Sequence, residues 1–312
     1  MQDTKNIAVI GHLSIDRIKN GEESYDGILG GAVLYSSLAA SSNSNNTVHM
    51  ISTYCEDFDF DKLEKTFSSN LNYDQVVPIL GKQRKAFMEY TTNFQRTSHN
   101  HARKEWLLDT LKQSPRHIPV KTLNYDGVML VPMLPEIQKL YINWFRKNSK
   151  ALICLDTSEY FAENSRDELK EIISTVDIFI PSDVELDLLL PENKGDIKKH
   201  IDSLRKFGLR ALVIKRSIKG SIFVDFETDD IWKVGIRATN AIDATGAGDS
   251  FAGSLITQYI STNNLLESVK YATVVSSYCV EEIGFTGLLR TYQDNINEEI
   301  EKLYCKKESV SL

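Results

Sequence analysis

The stretch Asn240-Ala-Ile-Asp-Ala-Thr-Gly-Ala-Gly-Asp-Ser-Phe-Ala-Gly253 carries the strongest indication of fold and chemistry in this chain. Its centre, Gly246-Ala247-Gly248, precedes Asp249 and an apolar run at helical spacing from Phe251 to Ile260. Glycines let a backbone approach a ligand closely, and the first turn of a helix offers free N–H groups and partial positive charge to an anion. The pattern therefore predicts a phosphate cradle with a carboxylate base beside it, as transfer of a phosphoryl group to a hydroxyl requires.

A plainer interpretation of the small residues stands beside this one, because Gly-Ala-Gly is often a tight loop and Asp is a common capping residue. The string is not a Walker A loop, which ends in Gly-Lys-Ser/Thr. As a whole, Asp243-Ala-Thr-Gly-Ala-Gly-Asp249 closely resembles the C-terminal signature of the ribokinase-like (PfkB) carbohydrate kinases. The resemblance implies that Asp249 is the catalytic base and that the Gly246-Ala247-Gly248 amides form an anion hole. Ala244 departs from the family's usual Thr.

The composition is that of an ordinary globular chain, with 42% hydrophobic and 25% charged residues among 312. This length favours one large domain with room for a small accessory piece. The resemblance implies that residues 1–312 form a single ribokinase-like kinase domain. A net charge of −7 favours neither nucleic acid nor an anionic membrane as a partner. No stretch has the apolar character of a signal peptide or a membrane span. The four cysteines show no paired spacing, which is typical of a reducing compartment and predicts a cytoplasmic location.

Short apolar runs alternate with amphipathic runs along most of the chain. Candidate strands are residues 6–10, 48–52, 127–131, 151–155, 177–180 and 211–215, with a hairpin at 221–225 and 231–235. Candidate helices are 32–41, 61–67, 135–148, 167–175, 183–190, 196–207, 249–261, 265–281 and 292–304, and residues 306–312 are a predicted loose tail. The alternation predicts an α/β fold with a mostly parallel central sheet covered by helices on both faces. The resemblance to the PfkB kinases implies that this fold is ribokinase-like.

Two extended excursions, at about residues 15–29 and 71–96, interrupt the alternation. They are predicted to pair into a small β-sheet lid over the strand ends, where open α/β sheets bind ligands. The alternative is two edge hairpins without function. A lid sheet is also the surface through which two copies of the chain could form a homodimer.

The family resemblance extends to the N-terminal region through Gly11-His-Leu-Ser-Ile-Asp16 and Gly30-Gly31-Ala32. It implies that Ser14, Asp16, Gly30 and Gly31 bind the substrate. The residue types suit a polyol, because a carboxylate accepts hydrogen bonds from adjacent hydroxyls and glycines let the backbone approach a sugar ring. Tyr35 stands where the family often has an Asn that contacts sugar. Its ring either changes the shape of the pocket or is a core aromatic.

Pro181-Ser-Asp-Val-Glu185 is similar to the family's Asn-x-x-Glu element, with Ser182 in place of the Asn. The resemblance implies that Ser182 belongs to the ATP site and that Glu185 holds the Mg²⁺ shell through water. Mg²⁺ keeps much of its hydration, so one carboxylate in its outer shell is sufficient. The alternative is a capping box, since Ser followed three residues later by Glu is that pattern, and both interpretations are compatible.

Lys215-Arg-Ser-Ile-Lys-Gly220 resembles the loop on the nucleotide side of the family's site. This implies that Lys215, Ser217 and Gly220 contact ATP together with Gly246 and Gly248. Ser217 replaces the usual Gly, and an exposed basic turn is the alternative.

Family members also often bind a monovalent cation beside the anion hole. Asp243 and Thr245 match part of that site, so K⁺ is a candidate cofactor besides ATP and Mg²⁺.

Two further groups of residues carry weaker indications. His99 and His101 are spaced as a metal pair, but no cluster of Cys or carboxylates accompanies them, and exposed loop histidines are the alternative. Basic residues near the predicted lid could recognise a substrate phosphate or form a solvated face: Lys82, Arg84, Lys85, Arg96 and Arg103.

The sequence thus predicts an ATP-dependent kinase of a small polyol, a sugar or cyclitol. Asp16 and the acidic residues of the first excursion favour an uncharged acceptor over a sugar phosphate, because a carboxylate repels a phosphate dianion. A nucleoside kinase is the alternative within the same class. A non-catalytic paralogue that binds sugar or nucleotide is the alternative outside it, motivated by Tyr35, Ser182 and Ser217.

Overall fold

The computed structural model describes residues 4–43, 45–66, 70–90, 124–292 and 295–308. In these ranges the strands are β1 Lys5–Ile10, β2 Ser14–Asn20, β3 Glu23–Gly30, β4 Asn46–Tyr54, β5 Leu71–Pro78, β6 Lys85–Tyr90, β7 Gly127–Leu130, β8 Leu152–Leu155, β9 Ile178–Phe179, β10 Ala211–Lys215, β11 Ser221–Asp225, β12 Asp230–Val234 and β13 Cys305–Glu308. The α-helices are α1 Ala32–Ser41, α2 Phe60–Thr66, α3 Pro135–Asn148, α4 Glu159–Asn164, α5 Arg166–Ile173, α6 Asp183–Leu189, α7 Ile197–Arg205, α8 Ala247–Thr262, α9 Leu265–Cys279 and α10 Ile296–Glu301. Shorter 3₁₀ helices lie at Pro191–Asn193, Ser217–Lys219 and Thr286–Tyr292.

Ten strands form one large sheet in the order β13-β12-β11-β10-β9-β8-β7-β1-β4-β5. The pairs from β10 to β5 are parallel. Strands β11, β12 and β13 extend the sheet in antiparallel pairing. The central strand β7 and the first four residues of β10 are apolar and buried, as a sheet covered on both faces requires. The predicted mostly parallel α/β architecture is confirmed.

Strand β1 shows how the sheet separates two hydrophobic layers. Side chains of successive strand residues point to opposite faces. Ile7 and Val9 pack in one core with apolar residues of α1, α8 and α9. Ala8 and Ile10 pack in the other core with apolar residues of helices α3 to α7. Alternate apolar side chains of this one strand therefore pack into the two cores on opposite faces of the sheet.

A small sheet of three strands, in the order β3-β2-β6, forms the second β element. β2 pairs antiparallel with β3 and parallel with β6. This small sheet comes from the first predicted excursion and part of the second, and it contributes residues to the cavity described below. The prediction of a small sheet beside the main one is confirmed.

The second predicted excursion, residues 71–96, is not one unit. β5 pairs parallel with β4 at the edge of the large sheet, so its assignment to the lid was wrong. The start of β5 is tied there by the side-chain amide of Asn70, which donates to the backbone carbonyls of Ser41, Asn43 and Asn46. Residues 91–96 lie outside the described ranges.

The C-terminal region also differs from expectation. Residues 305–308 were predicted within or beside a loose tail, but Cys305–Glu308 is the edge strand β13. Glu308 contacts Lys233 at 3.0 Å and Lys306 at 3.3 Å, so ion pairs add to the backbone ladder. The helix predicted over 292–304 is shorter, Ile296–Glu301. Among the described residues, no helix is long and apolar enough to cross a membrane.

Candidate active site

A cavity of about 680 Å³ lies between the small sheet and the carboxyl ends of the parallel strands. His12, Asp156 and Lys215 reach it from the ends of β1, β8 and β10. Asp16 of β2 and Tyr90 of β6 reach it from the small sheet. Open α/β sheets bind ligands at this edge, and the small sheet encloses it further. The lining therefore comes from segments far apart in the sequence.

The glycine turn before α8 forms one wall of this cavity. Gly246 adopts the left-handed conformation, with φ 76° and ψ 0°, and stands at the N-cap of α8. A Cβ atom on Gly246 would lie 2.1 Å from Cδ1 of Tyr35, so no larger residue fits there. The amides of a helix's first turn have no partner in a preceding turn, although the Ala247 N–H lies 3.4 Å from the Ala244 carbonyl. Gly246, Gly248 and Asp249 line the cavity together, whereas Ala247 is not among its lining residues. The roles of these residues as anion hole and base stay predictions.

Helix α1 holds the start of α8 in place. The Ser36 hydroxyl donates to the backbone carbonyl of Asp249 at 2.6 Å. One turn later, a Cβ on Gly253 would lie 2.0 Å from the Ser36 carbonyl oxygen. The two helices thus approach closely because the signature ends in Gly253. The segment that follows Gly30-Gly31 therefore positions the residue predicted to be the base.

Asp243 braces the loop that leads into this turn. One carboxylate oxygen accepts the Thr245 N–H at 2.9 Å, and the other accepts the Gly284 N–H at 2.8 Å. Burial raises the pKa of Asp243, against those hydrogen bonds. Thr245 lines the cavity. Through these hydrogen bonds Asp243 stabilises the loop. The binding of a monovalent cation by Asp243 and Thr245 stays a prediction.

The residues predicted to bind the acceptor come together on the other side. The Ser14 hydroxyl donates to Asp16 at 2.5 Å, and both residues line the cavity with Gly31. A Cβ on Gly30 would lie 2.0 Å from the Asp16 carboxylate. Gly31 has a φ of 104° and abuts the carbonyl of His12. The di-glycine thus leaves room for the Asp16 carboxylate and for the entry into α1.

Tyr35 joins the two halves of the site. It is only 1% exposed, lines the cavity, and covers Gly246 with its ring. Its hydroxyl is buried and has no hydrogen-bond partner in the described part of the chain. Burial, followed by the nearby Asp16 carboxylate, raises the pKa of Tyr35 well above its usual value. Both interpretations of Tyr35 are correct, since it is a core aromatic that also shapes the pocket.

Ser182 and Glu185 form the capping box of α6. The Glu185 N–H donates to the Ser182 hydroxyl at 3.1 Å, and the Ser182 N–H donates to the Glu185 carboxylate at 2.6 Å. Burial raises the pKa of Glu185 to about 7, against the attraction of Lys215. Glu185 also lines the cavity, so the capping box leaves its metal role open.

Asp156 is a site residue that the sequence analysis missed. It follows β8 directly, is 1% exposed, and accepts the Lys215 ammonium at 2.7 and 2.8 Å on its two oxygens. A single carboxylate after an apolar strand was the available signal, and it is weak because such residues are often turn caps. The pairing with Lys215 brings together two strand ends that the sequence separates by 59 positions.

The loop after Lys215 contributes no lining residue to the cavity. Ser217 is exposed, with a φ of 50°, at the start of a 3₁₀ turn. Gly220 has a φ of 76° and abuts the Val234 carbonyl. Of the predicted ATP contacts, Lys215, Gly246 and Gly248 line the cavity, whereas Ser182, Ser217 and Gly220 are not among its lining residues. ATP contacts by these three stay predictions.

Arg84 is the basic residue near the small sheet that reaches the cavity, close to His12. Burial, followed by the charge of Arg84, holds the pKa of His12 well below its usual value, which favours a neutral imidazole. Lys82 and Lys85 are exposed. The other basic residues and histidines singled out above lie outside the described ranges: Arg96, Arg103, His99 and His101.

The parallel sheet, the small sheet over its strand ends and the glycine turn that opens α8 define the architecture of a ribokinase-type kinase. The family model "pfkB family carbohydrate kinase" matches residues 4–291, and the chain belongs to this family.

A cytidine kinase of Thermococcus kodakarensis is 30% identical over 156 residues, which are 49% of this chain and 54% of that protein. The chain thus matches about half the length of this curated relative. A nucleoside kinase of Methanocaldococcus jannaschii has a similar structure, with a TM-score of 0.70 and 18% identity over 96% of this chain and 99% of that one. Arabidopsis thaliana ribokinase complexed with ribose and ATP gives a TM-score of 0.67 and 15% identity, over 94% and 100%. These structural similarities establish the fold.

Proposed function

We propose that the protein is an ATP-dependent kinase that phosphorylates a hydroxyl of a small polyol, a sugar or a cyclitol. The observation that carries the proposal is the position of Asp249 at the start of α8, in one cavity with the glycine turn and with Asp16. A phosphate cradle, a carboxylate base and a hydroxyl-binding carboxylate thereby face one enclosed space. Family membership over residues 4–291 supports the same chemistry.

In the proposed reaction, Asp249 accepts the proton of the attacking hydroxyl. The amides of the Gly246-Ala247-Gly248 turn donate to the oxygens of the phosphoryl group in transit, helped by the positive end of α8. Asp16 and the Gly30-Gly31 backbone orient the acceptor. The transition state of such transfers is loose and demands little base strength, so an aspartate carboxylate is adequate.

The residues on the nucleotide side suit ATP accompanied by a divalent cation. Glu185 and Asp156 are buried carboxylates that line the cavity, and Mg²⁺ prefers oxygen ligands while keeping much of its water. When bound, Mg²⁺ would neutralise part of the negative charge of the ATP phosphates. Glu185 is the residue that we assign to its hydration shell. K⁺ stays a candidate near Asp243 and Thr245.

The small sheet would exclude water, which otherwise competes with the acceptor. Its residues Ala86, Met88 and Tyr90 line the cavity opposite the strand ends. Closure of this sheet around substrate would place the acceptor hydroxyl and the phosphoryl group in a shielded space.

A nucleoside is the second candidate acceptor. Aromatic side chains from three different elements line the cavity, namely Tyr35, Tyr90, Tyr160 and Phe161, and aromatic rings stack well on a base. The matching cytidine kinase and the similarly folded nucleoside kinase give this alternative further support.

A panel of sugars, cyclitols, nucleosides and sugar phosphates, with ADP release as the signal, tests the proposal. We expect turnover with an uncharged polyol, loss of acceptor binding by about 10- to 100-fold in Asp16→Ala, and little change in Arg84→Ala. Lys82→Ala, an exposed neighbour, is the control for Arg84→Ala. Turnover of a sugar phosphate that is lost in Arg84→Ala would contradict the uncharged acceptor. ATP binding without turnover on any acceptor would favour the regulatory paralogue.

A further inference from the structure

The Lys215 ammonium lies between the Asp156 carboxylate and the glycine turn. It contacts the two oxygens of Asp156 at 2.7 and 2.8 Å, and it lies 3.5 Å from the position that a Cβ on Gly248 would take. Burial disfavours the charged lysine, but the carboxylates of Asp156 and Glu185 outweigh burial and raise the pKa of Lys215. The lysine is therefore a positive charge at neutral pH, placed beside the predicted anion hole.

Lys215 is a cation in a cavity whose charged lining residues are mostly acidic. Six carboxylate residues line the space, namely Asp16, Asp156, Glu159, Glu163, Glu185 and Asp249. Among the lining residues that the structure describes, the only lysine and arginine are Lys215 and Arg84. Arg84 stands next to the small sheet, on the acceptor side, so Lys215 is the cation beside Gly248. A polyphosphate entering an otherwise acidic cavity would meet this charge.

We propose that Lys215 is a catalytic residue that contacts the transferred phosphoryl group, and that Asp156 is the positioning residue that holds the lysine beside Gly248. The inference rests on the proposed kinase function. In the step, the bond between the γ-phosphorus and its bridging oxygen breaks to leave ADP, and a bond to the acceptor oxygen forms. The hydroxyl proton passes to Asp249. Lys215 stays protonated throughout and donates to a γ-phosphoryl oxygen.

The number of hydrogen-bond donors is consistent with this role. An ammonium has three N–H donors, and the two oxygens of Asp156 account for two of them. Within the described residues Asp156 is the hydrogen-bond partner of this ammonium, so the third donor is available to an oxygen of the ligand. A buried ion pair contributes little net stability to a fold, because the cost of removing both charges from water offsets much of their attraction. A charge that meets substrate explains why the pair is placed at the strand ends and not in the apolar core.

The first experiment compares kcat in Lys215→Met, Asp156→Asn and the double variant. We expect Lys215→Met to lower kcat by about 10²–10³, as loss of a preorganised donor to the transition state does. Asp156→Asn should lower kcat by about 10-fold, because the lysine keeps its charge and loses its position. The double variant should remain as impaired as Lys215→Met. If the charge-neutral double variant recovers to within about threefold of the unmutated protein, Lys215 serves only the ion pair and the proposal fails.

The second experiment measures ATP and ADP binding by calorimetry, and it does not depend on turnover. Lys215→Met should weaken ATP binding by about 10- to 100-fold and ADP binding much less, because the lost contact is to the γ-phosphoryl group. Equal weakening of both nucleotides would overturn the proposal. If Lys215→Met does not fold, the double variant supplies the same comparison without a lone buried charge.

Lys139→Met is the matched control, because Lys139 forms an exposed ion pair with Glu171 on the outer helices α3 and α5. Its ATP and ADP affinities should equal those of the unmutated protein. If the unmutated protein binds ATP but transfers phosphate to no acceptor, the kinase function fails, while the ATP-to-ADP comparison still tests the contact of Lys215.

Discussion

The Tyr90 hydroxyl on strand β6 lies 3.0 Å from the Thr245 hydroxyl in the loop that enters α8. A second contact joins the same two parts, since the Asn20 side-chain amide donates to the Ile242 carbonyl at 2.6 Å. The small sheet is thus bonded to the loop that carries the predicted anion hole. We therefore expect any movement of the small sheet to affect the position of the glycine turn.

Removing the Tyr90 hydroxyl should loosen this contact and leave the ring in the cavity. We expect Tyr90→Phe to raise the KM of the acceptor by about 2- to 10-fold, the worth of one neutral hydrogen bond. Tyr25→Phe is the control, because the Tyr25 hydroxyl contacts Glu23 on the exposed side of the same sheet. Steady-state kinetics measure both. An unchanged KM in Tyr90→Phe would show that the contact does not contribute to acceptor binding.

Replacing the predicted base should separate binding from chemistry. We expect Asp249→Asn to bind ATP normally and to turn over about 10²–10⁴ times more slowly, which is the usual contribution of a positioned base. ADP release and calorimetry measure the two quantities. Asp202→Asn, at an exposed position on α7, should leave both unchanged. Near-normal turnover in Asp249→Asn would remove this residue from the mechanism.

Substitutions of Ser182 and Glu185 can distinguish the capping of helix α6 from the proposed Mg²⁺ role of Glu185. Ser182→Ala should cost about 1 kcal/mol of unfolding free energy through loss of the cap and leave the Mg²⁺ requirement unchanged. Glu185→Ala should raise the Mg²⁺ concentration for half-maximal activity by about 10-fold or more. Activity measured against Mg²⁺ distinguishes them. Identical Mg²⁺ curves for the two variants would mean that Glu185 acts only as a cap.

The raised pKa of Glu185, about 7, predicts a pH-dependent stability. The folded protein holds this proton more tightly than the unfolded chain does. The stability contribution is therefore complete below about pH 4.5, the ordinary pKa, and is lost as the pH rises through about 7. Glu185→Gln keeps an acceptor for the Ser182 N–H without the charge. Its stability relative to the unmutated protein should increase by roughly 2–3 kcal/mol between pH 5 and pH 8 in metal-free buffer.

Urea denaturation at both pH values measures this difference. A constant offset between the two proteins would show that Glu185 does not change its protonation in this range. Ser182→Ala, which leaves the carboxyl group in place, should follow the pH dependence of the unmutated protein.

The two glycines of the turn should respond differently to Ala. Gly246→Ala places a Cβ 2.1 Å from the Tyr35 ring at a φ of 76°, and we expect a loss of about 2–5 kcal/mol from strain and overpacking. Gly248→Ala meets its nearest atom, the Lys215 ammonium, at 3.5 Å and should be no less stable, since Ala is the better helix former. Chemical denaturation compares them. Equal stabilities would mean that Tyr35 moves aside at no cost.

Local sequence determined a large part of this molecule. The alternation of apolar and amphipathic runs predicts the central parallel sheet, because each element must bury its own apolar face. The capping box at Ser182 and Glu185 is likewise a local pattern, since both partners lie within one helical turn. The signature from Asp243 to Asp249 predicted the glycine turn and the helix that begins there. Five of its seven residues line the cavity.

Tertiary structure decided the pairings between distant segments. The strand β5 belongs to the large sheet because Asn70 and β4 hold it there, and an extended run alone does not specify its neighbour. Asp156 meets Lys215 only because β8 and β10 end at the same edge of the sheet. Tyr35 covers Gly246 only because α1 packs on α8. Contacts within a turn of chain follow from local chemistry, whereas contacts between strand ends depend on the strand order of the folded sheet.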